Sequence, residues 1–189
     1  MIDVTNIEQL VLDLSTNSFD PEKNFAVALE YDRLNQTSAA AFFYLRAAEW
    51  GYETHPLIAY TSLLKMAQCY EKQTDRINTV ISSLMHAVTL LPQRPEGHFL
   101  LAQYYERKTK WQECYTQASI GLMTAINSYN LPLPADVGYH GPYCLTFEKA
   151  VAGWWLGQKE ECKILFDELI TMDLAPEYKQ AVENNLKLF

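Results

Sequence analysis

Apolar and small residues recur along this chain at offsets of four and three, in groups that repeat. Ala40, Tyr44 and Ala47 form one group, Val80, Leu84 and Ala87 a second, and Cys114, Ala118 and Gly121 a third. Spacing of four then three puts the members of a group on one face of a helix. Before each group lies another helical stretch with an alanine and a tyrosine three apart: Ala28 and Tyr31, Ala67 and Tyr70, Ala102 and Tyr105. From the tyrosine, the group falls at nine, thirteen and sixteen positions in the first and third copies, and one residue later in the second. The tyrosines are 39 and 35 residues apart. Helix, break and helix at such a period predict stacked helical hairpins. Small side chains let two helices approach closely, while tyrosine fills the groove beside them.

The breaks agree with the pattern. Asn35 to Ser38 interrupts the first pair, with Thr37 or Ser38 as N-cap; Thr74-Asp75 interrupts the second, and Lys108 to Lys110 the third. Pro21 follows Asp20, itself a good cap, and Pro56, Pro95 and Pro176 stand where helices should begin. A divergent fourth copy holds Ala150, Gly153, Cys162, Phe166 and Leu169, with Gly157 in its turn. The hairpins are therefore expected at about 21–52, 56–92, 95–128 and 143–172 of a single domain spanning 1–189. A capping helix at 176–189 closes one end, and a short helix around Ile7, Leu10, Val11 and Leu14 covers the other. Between Asn127 and Thr146, Pro132, Pro134, Pro142, Gly138 and Gly141 forbid one continuous helix. Long loops in compact domains are often functional. Packing over the stack through Leu131, Leu133, Val137 and Tyr139 and contact with a ligand both stay open here.

Each tyrosine opens an aromatic–acid–base triplet: Tyr31-Asp32-Arg33, Tyr70-Glu71-Lys72 and Tyr105-Glu106-Arg107. The first helices of stacked hairpins line one concave groove. There Arg33, Lys72 and Arg107 would form a basic ladder beside Asp32, Glu71 and Glu106. Phe99, Gln103 and Gln68 would add apolar and amide contacts to an extended peptide. In the fourth copy Gly153-Trp154-Trp155 replaces the triplet. One indole belongs in a helical interface and the other in the groove, where Trp154 is the candidate anchor. The competing reading leaves the charges merely solvated.

Composition narrows the chemistry. Lys+Arg 15 against Asp+Glu 23 gives a net charge of −8, which disfavours general binding of nucleic acid or anionic membrane. No run approaches the ~20 apolar residues of a membrane span, and no basic segment precedes an apolar run at the N-terminus. Cys69, Cys114, Cys144 and Cys162 lack a C-x-x-C pattern and read as reduced core thiols of a cytoplasmic protein. Asn35-Gln36-Thr37 matches a glycosylation sequon and reads better as a turn. Motifs for nucleotide, phosphate, metalloprotease or serine-hydrolase chemistry are missing, as is Asp-x-Asp. His140 and Cys144 could pair a base with a thiol only across Gly141-Pro142, with no orienting third residue. His55, His86 and His98 are isolated. No catalytic residue, cofactor or metal is expected.

Ala-x-x-Tyr, a short turn, then small, aromatic and small residues resembles the tetratricopeptide repeat over roughly residues 21–172. The best matches are Ala28 to Ala47 and Ala102 to Gly121, with Pro92 where that repeat commonly ends. The chain departs from the repeat in lacking Trp-Leu-Gly in its first three units, in its 39-residue spacing and in the Pro/Gly insertion. More narrowly, Leu90 to Tyr105, Asp136 to Tyr139 and Phe147 to Val151 are similar to repeat regions attached to family 2 glycosyltransferases, with relatives among marine phages. The resemblance implies an all-α fold, a right-handed α-solenoid of about three and a half hairpins with terminal capping helices. It also implies a non-catalytic scaffold that binds a protein or peptide segment on its concave face, with assembly into homo-oligomers open. A partner role beside a carbohydrate-modifying transferase, or a structural place in a phage particle, are the alternatives.

Overall fold

A computed structural model describes residues 4–73, 76–125 and 131–189. Among them are ten helices and no strand: α1 (Val4–Thr16), α2 (Pro21–Arg33), α3 (Thr37–Gly51), α4 (Pro56–Glu71), α5 (Ile77–Leu90), α6 (Glu96–Arg107), α7 (Trp111–Ala125), α8 (Pro142–Trp155), α9 (Lys159–Leu169) and α10 (Pro176–Leu186). Thr74-Asp75 and the start of the Pro/Gly stretch, 127–130, lie outside the described residues. The chain divides into two compact units. One comprises residues 1–92 with 130–137, the other 93–129 with 138–189.

In the first unit, α2 pairs with α3 and α4 with α5, and the first helices α2 and α4 also pack against each other. Ala28, Ala40, Tyr44, Ala47, Ala67, Val80, Leu84 and Ala87 are all buried. Three alanines and a tyrosine around the α2–α3 contact give the close approach and filled groove that the offsets predict. α1 covers the exposed side of α2, where Ile7, Leu14 and Val27 form a small core with Tyr31 and Phe43 against it. The rings of Tyr31 and Phe43 stack 5.5 Å apart.

In the second unit, α6 pairs with α7 and α8 with α9, and α6 packs against α8 in turn. Ala102, Cys114, Ala118, Ala150, Cys162, Phe166 and Leu169 are buried. A Cβ built on Gly121 would lie 2.8 Å from Leu145 Cδ2 and 2.9 Å from His98 Cβ, so only glycine admits the approach of α6 and α8 to α7 there. α10 packs on α9 and α8 and seals the end with the fully buried Val182.

Three of the hairpin turns close in the same way. The carbonyl oxygens of Tyr31, Tyr105 and Gly153 accept from the backbone N–H groups of Gln36, Lys110 and Gln158. The residues just before those donors, Asn35, Thr109 and Gly157, have φ of 57°, 55° and 82°. The triplet tyrosine thus sits where the first helix ends. One capping expectation is corrected: Asp20 caps α2 by accepting from the amides of Glu22 and Lys23, but α3 begins at Thr37 itself. Neither Thr37 nor Ser38 is a cap; Gln36 holds that position and makes no side-chain capping bond.

Candidate partner-binding surface

In the first unit the acid of one triplet is joined to the base of the next across the hairpins. Asp32, at the end of α2, accepts a hydrogen bond from Lys72 Nζ at 3.0 Å and lies 3.1 Å from Lys65 Nζ on α4. Burial alone would push the Asp32 carboxyl up; Lys72 and Lys65 outweigh it and hold the group below its ordinary value. Lys72 keeps about half of its side chain in solvent. Arg33 turns back on its own helix and donates through Nε to the buried Glu30 at 2.9 Å. Gln68, half-buried on α4, donates from Nε2 to the carbonyl oxygen of Val137 at 3.0 Å. A stretch of the chain's own Pro/Gly insertion therefore lies against this first-helix face.

In the second unit, Gln103 and Arg107 converge on an acid that the sequence reading passed over. Glu148, on α8, is buried, and burial foremost, with the charge of Glu106, pushes its carboxyl up to about 8. The Gln103 amide and the Arg107 charge oppose that rise. One carboxyl oxygen, Oε2, has no hydrogen-bond partner. Phe99 departs most from its expected role. It is fully buried, with the Tyr139 ring 5.4 Å away. The two tryptophans exchange places as well: Trp154 packs edge-on against Phe189 at 4.8 Å and under Lys159. Trp155 is 61% exposed and stacks on Trp111 at 5.2 Å and 12°. It is Trp155, not Trp154, that offers an open indole.

Other groups missed from the sequence are structural. Arg94 and Glu96 form a buried pair, with Arg94 Nε donating to Glu96 at 3.1 Å. His98 Nδ1 lies 2.8 Å from the Gln117 amide oxygen, and burial lowers its pKa. All four cysteines are buried, and burial raises the Cys144 thiol, so the His140–Cys144 pairing presents no accessible thiolate. Ser82, Ser83, His86 and Glu49 line an open recess of about 200 Å³ between α3, α4 and α5. There Ser83 donates to the Thr79 carbonyl and Glu49 faces Arg46, so their bonds go to other partners. Among the described residues no set of three His, Cys, Asp or Glu side chains could hold a metal ion. Among them too, no helix is long and apolar enough to cross a membrane.

The chain is similar in fold to solved helical-repeat proteins. A thermophilic tetratricopeptide-repeat protein of Thermus thermophilus matches 97% of this chain and 89% of its own, at 14% identity and a TM-score of 0.59. A Podosopora anserina kinesin-light-chain candidate with nearly identical tetratricopeptide-like repeats matches 95% of this chain and 84% of its own, at 15% identity and a TM-score of 0.61. A singly substituted form of that protein gives 97% and 86%, at 14% identity and 0.62. No protein-family model matches the sequence, and no curated protein does. The fold is that of a tetratricopeptide-like helical repeat.

Proposed function

We propose that the chain is a non-catalytic scaffold that holds a peptide segment or a partner subunit on the first helices of its hairpins. The observation that carries this reading is that α2 lies beside α4, and α6 beside α8, so that first helices share a surface within each unit. Tetratricopeptide repeats generally use that surface for protein or peptide segments. In the first unit it carries Arg33, Gln68 and Lys72; in the second, Gln103 and Arg107. Trp155, with its open indole, takes the anchoring part first given to Trp154. Phe99 serves from beneath, as the floor under Tyr139.

Amides and cations of this kind suit an extended segment. The amides bond its backbone whatever its sequence, and the cations meet its acidic side chains. Both sets already have acids of this chain as neighbours, so a partner's carboxylate competes with Asp32 and Glu30 in the first unit and meets the neutral Glu148 carboxyl beside Gln103 and Arg107 in the second. The likeness of residues 90–105, 136–139 and 147–151 to repeats attached to family 2 glycosyltransferases, or found in phages, suggests settings for such a partner and adds no chemistry.

The experiment is selection of random peptides on the immobilised full chain, then titration of the best binders against Gln68→Ala and Arg107→Ala variants of unchanged helicity. A loss of affinity of about fivefold or more in at least one variant is expected. Selection of no peptide, or unchanged affinity in both variants, would remove the first-helix surface as the site.

A further inference from the structure

Residues 131–137, Leu-Pro-Leu-Pro-Ala-Asp-Val, belong to the first compact unit although they are distant from it in sequence. They form no helix or strand. Leu131 and Pro132 are both exposed; from there exposure alternates across a bend at Pro134-Ala135, with Pro134 and Asp136 facing solvent, Leu133 and Ala135 half-buried and Val137 5% exposed. A period of two over 132–137 is that of a non-helical chain lying with one edge on a surface. Pro132 and Pro134 enforce it, because each fixes its own φ and drives the residue before it out of the helical region. Where the segment meets α4, Gln68 Nε2 donates to the Val137 carbonyl oxygen at 3.0 Å. A side-chain amide bonding a backbone carbonyl while an alternate side chain is buried is how a peptide is held without reading its full sequence.

From this geometry we infer that residues 131–137 are an intramolecular ligand of the α4 face. The outside partner of that face is then a non-helical, proline-spaced segment with small or branched apolar residues at alternate positions. The inference rests on the scaffold reading and adds what the site prefers and what guards it. A tethered segment competes at an effective concentration in the millimolar range. An outside segment of equal intrinsic affinity binds the intact chain weakly until the tethered one is displaced. The proline-rich stretch is thus both a specimen of the partner and a brake on its binding.

The test uses an end-blocked, labelled peptide of sequence Leu-Pro-Leu-Pro-Ala-Asp-Val and the full chain in three forms. These are the natural sequence, a form with residues 131–137 replaced by seven Gly/Ser residues, and the same form carrying Gln68→Ala. Val137→Asp in the natural sequence is a second way to loosen the segment if the replaced form loses its helicity. Fluorescence anisotropy should show binding to the loosened chain at least about tenfold tighter than to the natural one. Gln68→Ala should weaken it about fivefold. Equal binding to natural and loosened chains, or binding to neither, overturns the inference. If unrelated peptides still bind the natural chain and are sensitive to Gln68→Ala, the scaffold reading survives that failure. If none binds, both fall.

Discussion

Asp32 and Lys72 join the first two hairpins through a 3.0 Å hydrogen bond between residues forty positions apart. Lys65, only 16% exposed, completes the site from α4 at 3.1 Å. Asp32→Asn leaves two cations facing a neutral amide and should cost about 1–3 kcal/mol at neutral pH. The Asp32 pKa lies below 3.8 in the folded chain, so its contribution is present above that pH and is lost as pH falls through the lower folded value. Urea melts of natural and variant chains should differ at pH 7 and converge in acid. A gap that persisted unchanged at the lowest pH would contradict the ion-pair account.

Glu148 behaves in the opposite sense. Its folded pKa is about 8 against an ordinary 4.5, so the folded chain keeps a proton that the unfolded chain has lost. Stability should therefore fall as pH climbs between those two values and level off above the upper one. Glu148→Gln keeps the shape, can still accept from Gln103, and cannot ionise. It should be more stable than the natural chain at pH 9, by roughly 1–3 kcal/mol, and close to it at pH 5. A natural chain at least as stable as the variant at pH 9 would count against a buried, neutral carboxyl.

Gly121→Ala adds a methyl group 2.8 Å from Leu145 and 2.9 Å from His98. Helix propensity favours alanine by about 1 kcal/mol, but overpacking at a closed contact typically costs about 1–3 kcal/mol. We expect the clash to win and the denaturant midpoint to fall. A rise in the midpoint would show that α7 can shift.

Thr109 occupies a turn at φ 55°, a conformation that β-branched residues rarely adopt. Asn35 and Gly157 show what suits the equivalent places. Thr109→Gly should stabilise the chain by about 0.5–1 kcal/mol, read as a raised thermal midpoint. No gain would mean that the Thr109 hydroxyl, which donates to the Lys108 carbonyl at 2.7 Å, offsets the strain.

The fold was legible because helix contacts demand small residues at fixed offsets, and those alanines, glycines and cysteines stand out in the chain. The site was legible only in outline. Asp32, Glu71 and Glu106 look alike in their triplets, yet the long-range partners Lys65 and Lys72 single out Asp32. Glu148 carries no local mark at all, because its burial depends on α6 and α7 closing over α8. Trp154 and Trp155 are neighbours on a helix, and the local pattern put Trp154 in the groove; the edge-on contact with Phe189 instead leaves Trp154 half-buried and Trp155 61% exposed. The bond from Gln68 to Val137 spans 69 residues, beyond any local pattern.

The most direct measurement of the scaffold account is hydrogen exchange on the full chain with and without a saturating selected peptide. Bound peptide should slow exchange in first helices, α4 above all or α6, and leave the second helices α5 and α7 nearly unchanged. Slowing confined to the second helices, or none anywhere under saturation, would contradict it.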